Sequence, residues 1–158
     1  MLQETEKFYT VRGYELLDKN KKHLTSAMED YLEMIYRHSF EEGYIRINIL
    51  SELLHVNASS TTKMVQRLSS LNLVTYKRYG LVFLTKPGEE IGRFLLRRHT
   101  ILEIFLKHLG IEGVLQEVEL MEHSITSNTL ESINSLNVFL ESDPIFLKSF
   151  KDFQRNIL

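Results

Sequence analysis

The 158-residue sequence contains no cysteine. Disulfides, thiolate zinc sites and cysteine nucleophiles are therefore excluded, and the composition suits a cytoplasmic protein. No apolar run approaches the roughly 18 residues needed to cross a bilayer, so no membrane partner is expected. The N-terminus shows no basic region followed by an apolar stretch and a cleavage site, so secretion is not expected. Internal repeats, low-complexity segments, a glycine-rich phosphate loop and an evident nucleophile–base set are also missing. The sole Glu-x-x-His pattern is Glu52 to His55. A di-iron carboxylate bundle needs two such copies, so the chain does not read as an enzyme.

What is present is ordinary for a globular chain: 43% hydrophobic and 25% charged residues. The length allows one domain or two small ones, with enough residues to bury a core. The net charge of -2 conceals a division. Residues 1–56 hold seven Lys/Arg against ten Asp/Glu, residues 57–100 hold eight against two, and residues 101–158 hold four against nine. A basic block between acidic flanks fits a surface that meets a polyanion. Chance clustering on a solvated face is the alternative.

Periodicity supplies the elements. After a polar, lysine-rich segment at 1–22, Met28, Tyr31, Leu32, Ile35 and Tyr36 form a helical stripe. Thr25 or Ser26 caps this helix and Gly43 closes it. YIRI (44–47) is a short extended piece. Asn48 is placed to cap a helix with Ile49, Leu50, Leu53 and Leu54 on its apolar side. After a break at Val56-Asn57, SSTTKMVQRLSSLNLV opens with hydroxyl residues suited to a helix N-terminus. Its buried stripe is Met64, Val65, Leu68 and Leu71. VTYKRYGLVFLT (74–85) reads as a hairpin about Gly80. A long helix follows at 86–110, then three more helices, with Pro144 opening the last.

The order helix, strand, helix, helix, hairpin is that of a winged helix-turn-helix. The expected fold is mainly α: an N-terminal winged helix-turn-helix followed by an all-helical dimerisation domain. Its divisions are an extension (1–22), a DNA-binding domain (23–93) and a helical domain (94–158). In such a motif the second helix enters the major groove through its N-terminal residues. These are Ser59, Ser60, Thr61, Thr62 and Lys63, with Gln66 and Arg67 a turn later. Lys77 and Arg78 stand near the wing tip. The plainer reading is that the hydroxyls cap the helix and the cations are solvated.

VELMEHS (118–124) places Glu119, Glu122 and His123 at helical-neighbour spacing. They flank an apolar stripe of Val114, Val118, Met121 and Ile125. Asp30 and Glu33 are likewise three apart, and His99 interrupts the long helix. An ordinary acidic surface or a metal site is compatible with each cluster taken alone.

MEDYLEMIY, SSTTKMVQRLSSLNLV, YGLVFLT, RRHTILEIFL and VELMEH occur in this order at compatible spacing. Over roughly residues 24–140 the chain resembles the diphtheria toxin repressor family of metal-dependent transcriptional repressors, in its manganese transport regulator branch. The resemblance implies metal ligands at Asp30, Glu33, His99, Glu119, Glu122 and His123. It implies a two-metal site, with two ions per subunit, between the DNA-binding domain and the dimerisation helices. It also implies a homodimer on palindromic operator DNA that represses metal-uptake genes when metal is bound. Four carboxylates and two imidazoles without a thiolate suit Mn²⁺, with Fe²⁺ as the alternative. The iron-responsive branch commonly has methionine where this chain has Asp30, which favours manganese. Two departures stand out: the extension at 1–22, and Ala58 in place of a proline often found before the recognition helix. No SH3-like domain of the longer iron-type relatives is expected. An iron-responsive repressor, or a winged-helix regulator of a non-metal signal, remains the alternative.

Overall fold

A computed structural model describes residues 13–19 and 23–157. Most of the 1–22 extension thus lies outside the described residues. The chain divides into two compact units, the first ending at Leu96 and the second starting at Arg97.

In the first unit, residues 13–19 are helical (α1). Helix α2 (Ser26–His38) starts at Thr25, whose side chain accepts from the Met28 amide at 3.3 Å. This satisfies one of the amide donors that a helix start leaves open. The predicted stripe Met28, Tyr31, Leu32, Ile35 and Tyr36 is buried throughout. Arg37 and His38 lie in the last turn, where the helix dipole favours cations.

Strand β1 (Ile45–Arg46) leads directly into α3 (Ile47–Leu53). Here the expectation is corrected: Arg46, not Asn48, is the capping position, and it provides no side-chain bond. Pairing of β1 with β3 ends at Arg46, so the helix begins immediately and Ile47 turns inward. Ile47 and Leu50 are buried, whereas Ile49 is 47% exposed and does not join the core.

Helix α4 (Ala58–Ser70) is capped by Asn57, whose Oδ1 accepts from the Ser60 amide at 2.8 Å. Val65 and Leu68 are fully buried on its inner side. Strands β2 (Val74–Lys77) and β3 (Leu81–Leu84) form the hairpin. The sheet has the order β1-β3-β2, antiparallel throughout. This is the winged helix-turn-helix.

Helix α5 (Lys86–His108) is anchored to the base of the wing. The Thr85 hydroxyl donates to the Asn72 carbonyl at 2.7 Å and accepts from the Gly88 amide at 3.1 Å. Gly88 is required by this approach, because a Cβ there would stand 1.8 Å from the Leu73 carbonyl oxygen. One turn later Arg93 donates to the Tyr36 hydroxyl at 3.2 Å. That bond, helped by the charge of Glu89, holds the guanidinium above its ordinary pKa.

The second unit comprises the rest of α5 with α6 (Val114–Glu122), α7 (Ser127–Ser142) and α8 (Pro144–Ile157). Thr126 caps α7, and Asp143 Oδ1 accepts from the Ile145 and Phe146 amides to cap α8. Buried Asn137 of α7 donates to the Ile101 carbonyl of α5 at 2.9 Å. Arg97 and Glu131 form an ion pair at 3.0 Å. The core consists of Ile101, Leu102, Leu106, Val118, Leu130 and Leu140. Leu136, predicted on the inner side of α7, is 42% exposed. Among the described residues no helix is long and apolar enough to cross a membrane.

Candidate functional site

The basic surface is built on α4 and the wing. Ser59, Ser60, Lys63, Gln66 and Arg67 are exposed along α4, and Lys77 and Arg78 are exposed on the wing. Ser59 donates to Asn57 Oδ1 at 2.7 Å, so its hydroxyl also serves the cap. Half-buried Thr62 donates to the Ala58 carbonyl at 2.8 Å. Thr61 is the correction in this set: it has no exposed surface. Its hydroxyl lies 3.2 Å from the Asn57 carbonyl and 3.5 Å from the Tyr31 hydroxyl. It locks α4 onto α2 and does not face a groove. Composition did not distinguish it from its neighbours, because four hydroxyl residues run consecutively and only one can point inward. On the wing, the Lys77 ammonium lies 4.6 Å from the centre of the Phe83 ring.

The candidate metal ligands fall into two sets, one in each unit. In the first, Asp30 is exposed on α2, and Glu33 is buried one turn on. Glu33 forms an ion pair with Arg37 of the same helix. Arg37 had no role in the sequence reading; its i,i+4 position to Glu33 was the available signal.

In the second, α5 and α6 bring three groups together. His99 Nδ1 is 3.1 Å from Glu122 Oε2. Both residues are buried, at 8% and 3% exposure. In its Nδ1–H tautomer the ring donates to this carboxylate. This is how a carboxylate usually orients a metal-binding imidazole. His123 caps the C-terminal end of α6, with Nε2 3.8 Å from Glu122 Oε1. The buried Arg98 side chain stands 3.4 Å from His123 Nδ1.

Glu122 therefore departs from the expectation that it flanks the apolar stripe. It is one of the most buried side chains of the unit, while Val114, Met121 and Ile125 are half-buried. Glu119 is exposed one turn earlier and does not share the contact with His99. Burying a carboxylate is costly unless it is paired. Glu122 is paired with an imidazole, a weak partner unless protonated, so a cation would improve its balance. Carboxylate and imidazole donors with no thiol suit a fairly hard divalent ion.

Comparison with known proteins matches the family described as iron dependent repressor, N-terminal DNA binding domain, over residues 23–82. Its companion, iron dependent repressor, metal binding and dimerisation domain, matches residues 85–149. The HTH-type transcriptional regulator MntR of Bacillus subtilis (strain 168) is 38% identical over 133 residues, covering 83% of this chain and 94% of the relative. MntR of Listeria monocytogenes serotype 4b is 37% identical over 134 residues, covering 84% and 94%. Among solved structures, the manganese regulator SloR aligns with a TM-score of 0.62 at 29% identity, covering 69% of this chain and 52% of that one. A manganese-dependent transcriptional repressor in complex with manganese aligns at 0.64 and 28% identity, covering 71% and 53%. The chain thus spans about half the length of these two solved proteins.

Proposed function

This chain belongs to the diphtheria toxin repressor family of metal-dependent transcriptional repressors, in its manganese transport regulator branch, and on that premise we propose that it represses metal-uptake genes when manganese is plentiful. It is a DNA-binding regulator, not an enzyme. The reading takes 23–93 as the DNA-binding domain, 94–158 as the dimerisation and metal-binding domain, and 1–22 as an extension. The working form is a cytoplasmic homodimer on a palindromic operator.

The observation that carries the metal part is the buried His99–Glu122 pair beside His123. We assign Asp30, Glu33, His99, Glu119, Glu122 and His123 as ligands of two Mn²⁺ ions per subunit. The ions supply positive charge and coordination to groups that are otherwise mutually repulsive. Asp30 and Glu33 supply the carboxylates of α2. Glu119, Glu122 and His123 supply the donors of α6, and His99 that of α5. Arg37 pairs with one oxygen of Glu33, and a carboxylate has a second oxygen to offer a cation. Holding these helices together fixes the spacing of the two recognition helices of a dimer to successive major grooves. Ser59, Ser60, Lys63, Gln66 and Arg67 face the groove, and Lys77 and Arg78 face the backbone. The coupling is reciprocal: DNA tightens metal binding by the same factor, typically about 1–3 kcal/mol.

The test is operator binding by fluorescence anisotropy on a palindromic manganese-uptake promoter at fixed salt. It compares chelator, Mn²⁺, anaerobic Fe²⁺ and Zn²⁺, on wild type and on Glu119→Ala/Glu122→Ala. Mn²⁺ should tighten wild-type binding about tenfold or more, roughly 1.4 kcal/mol, and the double variant should lose the response. Equal binding by both proteins, with or without metal, sinks the proposal.

A further inference from the structure

The wing tip displays the most exposed large hydrophobic side chain among the described residues. Tyr79 is 90% exposed and lies between Arg78 and Gly80 in the turn from β2 to β3. Its backbone is left-handed, with φ 64° and ψ 23°, and Gly80 follows with φ 72°. Lys77 pairs with Leu81, so Arg78, Tyr79 and Gly80 form a three-residue loop, and glycine is the residue that takes a left-handed position in it without strain. A bulky residue is disfavoured there because its Cβ crowds the following carbonyl oxygen. The other non-glycine residues of positive φ among those described are His55 (φ 54°) and Asn72 (φ 57°). Both are residue types enriched in this region; tyrosine is not.

Nothing in the hairpin repays this strain, since a ring exposed to this degree adds little by burial. Strain held at such a position points to a use outside the folded chain. The neighbouring charges describe the partner. Lys77 and Arg78 are exposed immediately before the ring, within the block of eight Lys/Arg against two Asp/Glu. A polyanion with an apolar surface between its charges fits both features, and duplex DNA offers one in its minor groove.

We propose that Tyr79 is a DNA-contacting residue whose ring enters the minor groove beside the operator half-site. The ring lies against deoxyribose faces while Lys77 and Arg78 take the flanking phosphates. Recognition helix and wing then read adjacent grooves, and Tyr79 makes affinity depend on minor-groove shape outside the bases that α4 reaches. This inference rests on the operator-binding reading above and extends it to a residue that reading does not use.

The experiment uses full-length protein and a duplex selected from a random library by the Mn²⁺-loaded wild type. Tyr79→Asn suits the left-handed backbone and removes the ring; Tyr79→Phe keeps the ring. Tyr79→Asn should melt at an equal or higher temperature yet bind the duplex about fivefold to tenfold more weakly, the scale of one lost specific contact. Tyr79→Phe should bind as wild type. In the flanking positions, G·C pairs should weaken wild-type binding relative to inosine·C pairs, which differ only by the minor-groove amino group, and Tyr79→Asn should ignore the change. If Mn²⁺-loaded wild type binds its selected duplex and Tyr79→Asn binds it equally well, the wing proposal is overturned and the operator reading survives. If Tyr79→Phe loses as much as Tyr79→Asn, the hydroxyl makes the contact and the minor-groove assignment is wrong. If wild type selects no duplex, both readings fall.

Discussion

The two units handle their apolar residues differently. In the first, α2, α4, the wing and the start of α5 close around Leu32, Ile35, Leu50, Val65, Leu68, Leu73, Val82 and Leu95, all fully buried. In the second, ten of the fourteen exposed large hydrophobics of the described residues are found, including Leu120 at 76%, Ile145 at 78% and Phe153 at 61%. A monomeric surface seldom leaves so much apolar area open. The first unit leaves four such residues exposed among those described, Phe40, Ile49, Val56 and Tyr79. The second is a half-built core, consistent with a domain whose family is described by dimerisation. Both units bury a carboxylate, Glu33 in the first and Glu122 beside His99 in the second, whereas α4 keeps its cations in solvent.

The largest test of the closed unit is Gly88→Ala, whose Cβ would meet the Leu73 carbonyl at 1.8 Å. A loss of about 3 kcal/mol is expected in urea unfolding, the upper range for overpacking. Leu68→Ala should cost a similar amount through the cavity it leaves in α4, about 3 kcal/mol. A well-folded Gly88→Ala protein would mean that α5 can move away from the base of the wing.

Metal binding sharpens the contrast between buried and exposed ligands. Glu122→Gln keeps the shape but removes the charge beside His99. Mn²⁺ titration followed by calorimetry should show affinity reduced about tenfold or more, roughly 1.4 kcal/mol. Glu119→Gln, at an exposed position, should lose less. Equal losses would show that burial does not rank the ligands.

The open face of the second unit is probed by Phe153→Asp. Dimer dissociation in analytical ultracentrifugation should rise about tenfold, with unfolding of the first unit unchanged. If the variant instead unfolds the whole chain, the face belongs to the fold and not to an interface. The smallest effect is expected for Lys77→Ala. Its operator affinity should fall modestly, and the slope of log affinity against log salt should shrink by about one phosphate contact.

The sequence by itself determined which segments become helix, strand and turn, because local periodicity and capping set these. The stripe of α2, its start at Thr25 or Ser26, the hairpin about Gly80 and the breaks at Gly110 and Pro144 all follow from residues a few positions apart. Charge distribution marked α4 and the wing as the basic surface, and the order of motifs carried the family. Tertiary structure decided what local spacing leaves open. It turned Thr61 inward to Tyr31 while its neighbours stay exposed. It started α3 at Ile47, because pairing of β1 with β3 ends at Arg46. It separated Glu122, buried against His99 twenty-three positions earlier in the chain, from Glu119, which periodicity had placed on the same footing. Helical spacing gives the face a residue occupies; only the packing of another helix decides whether that face is solvent or interior.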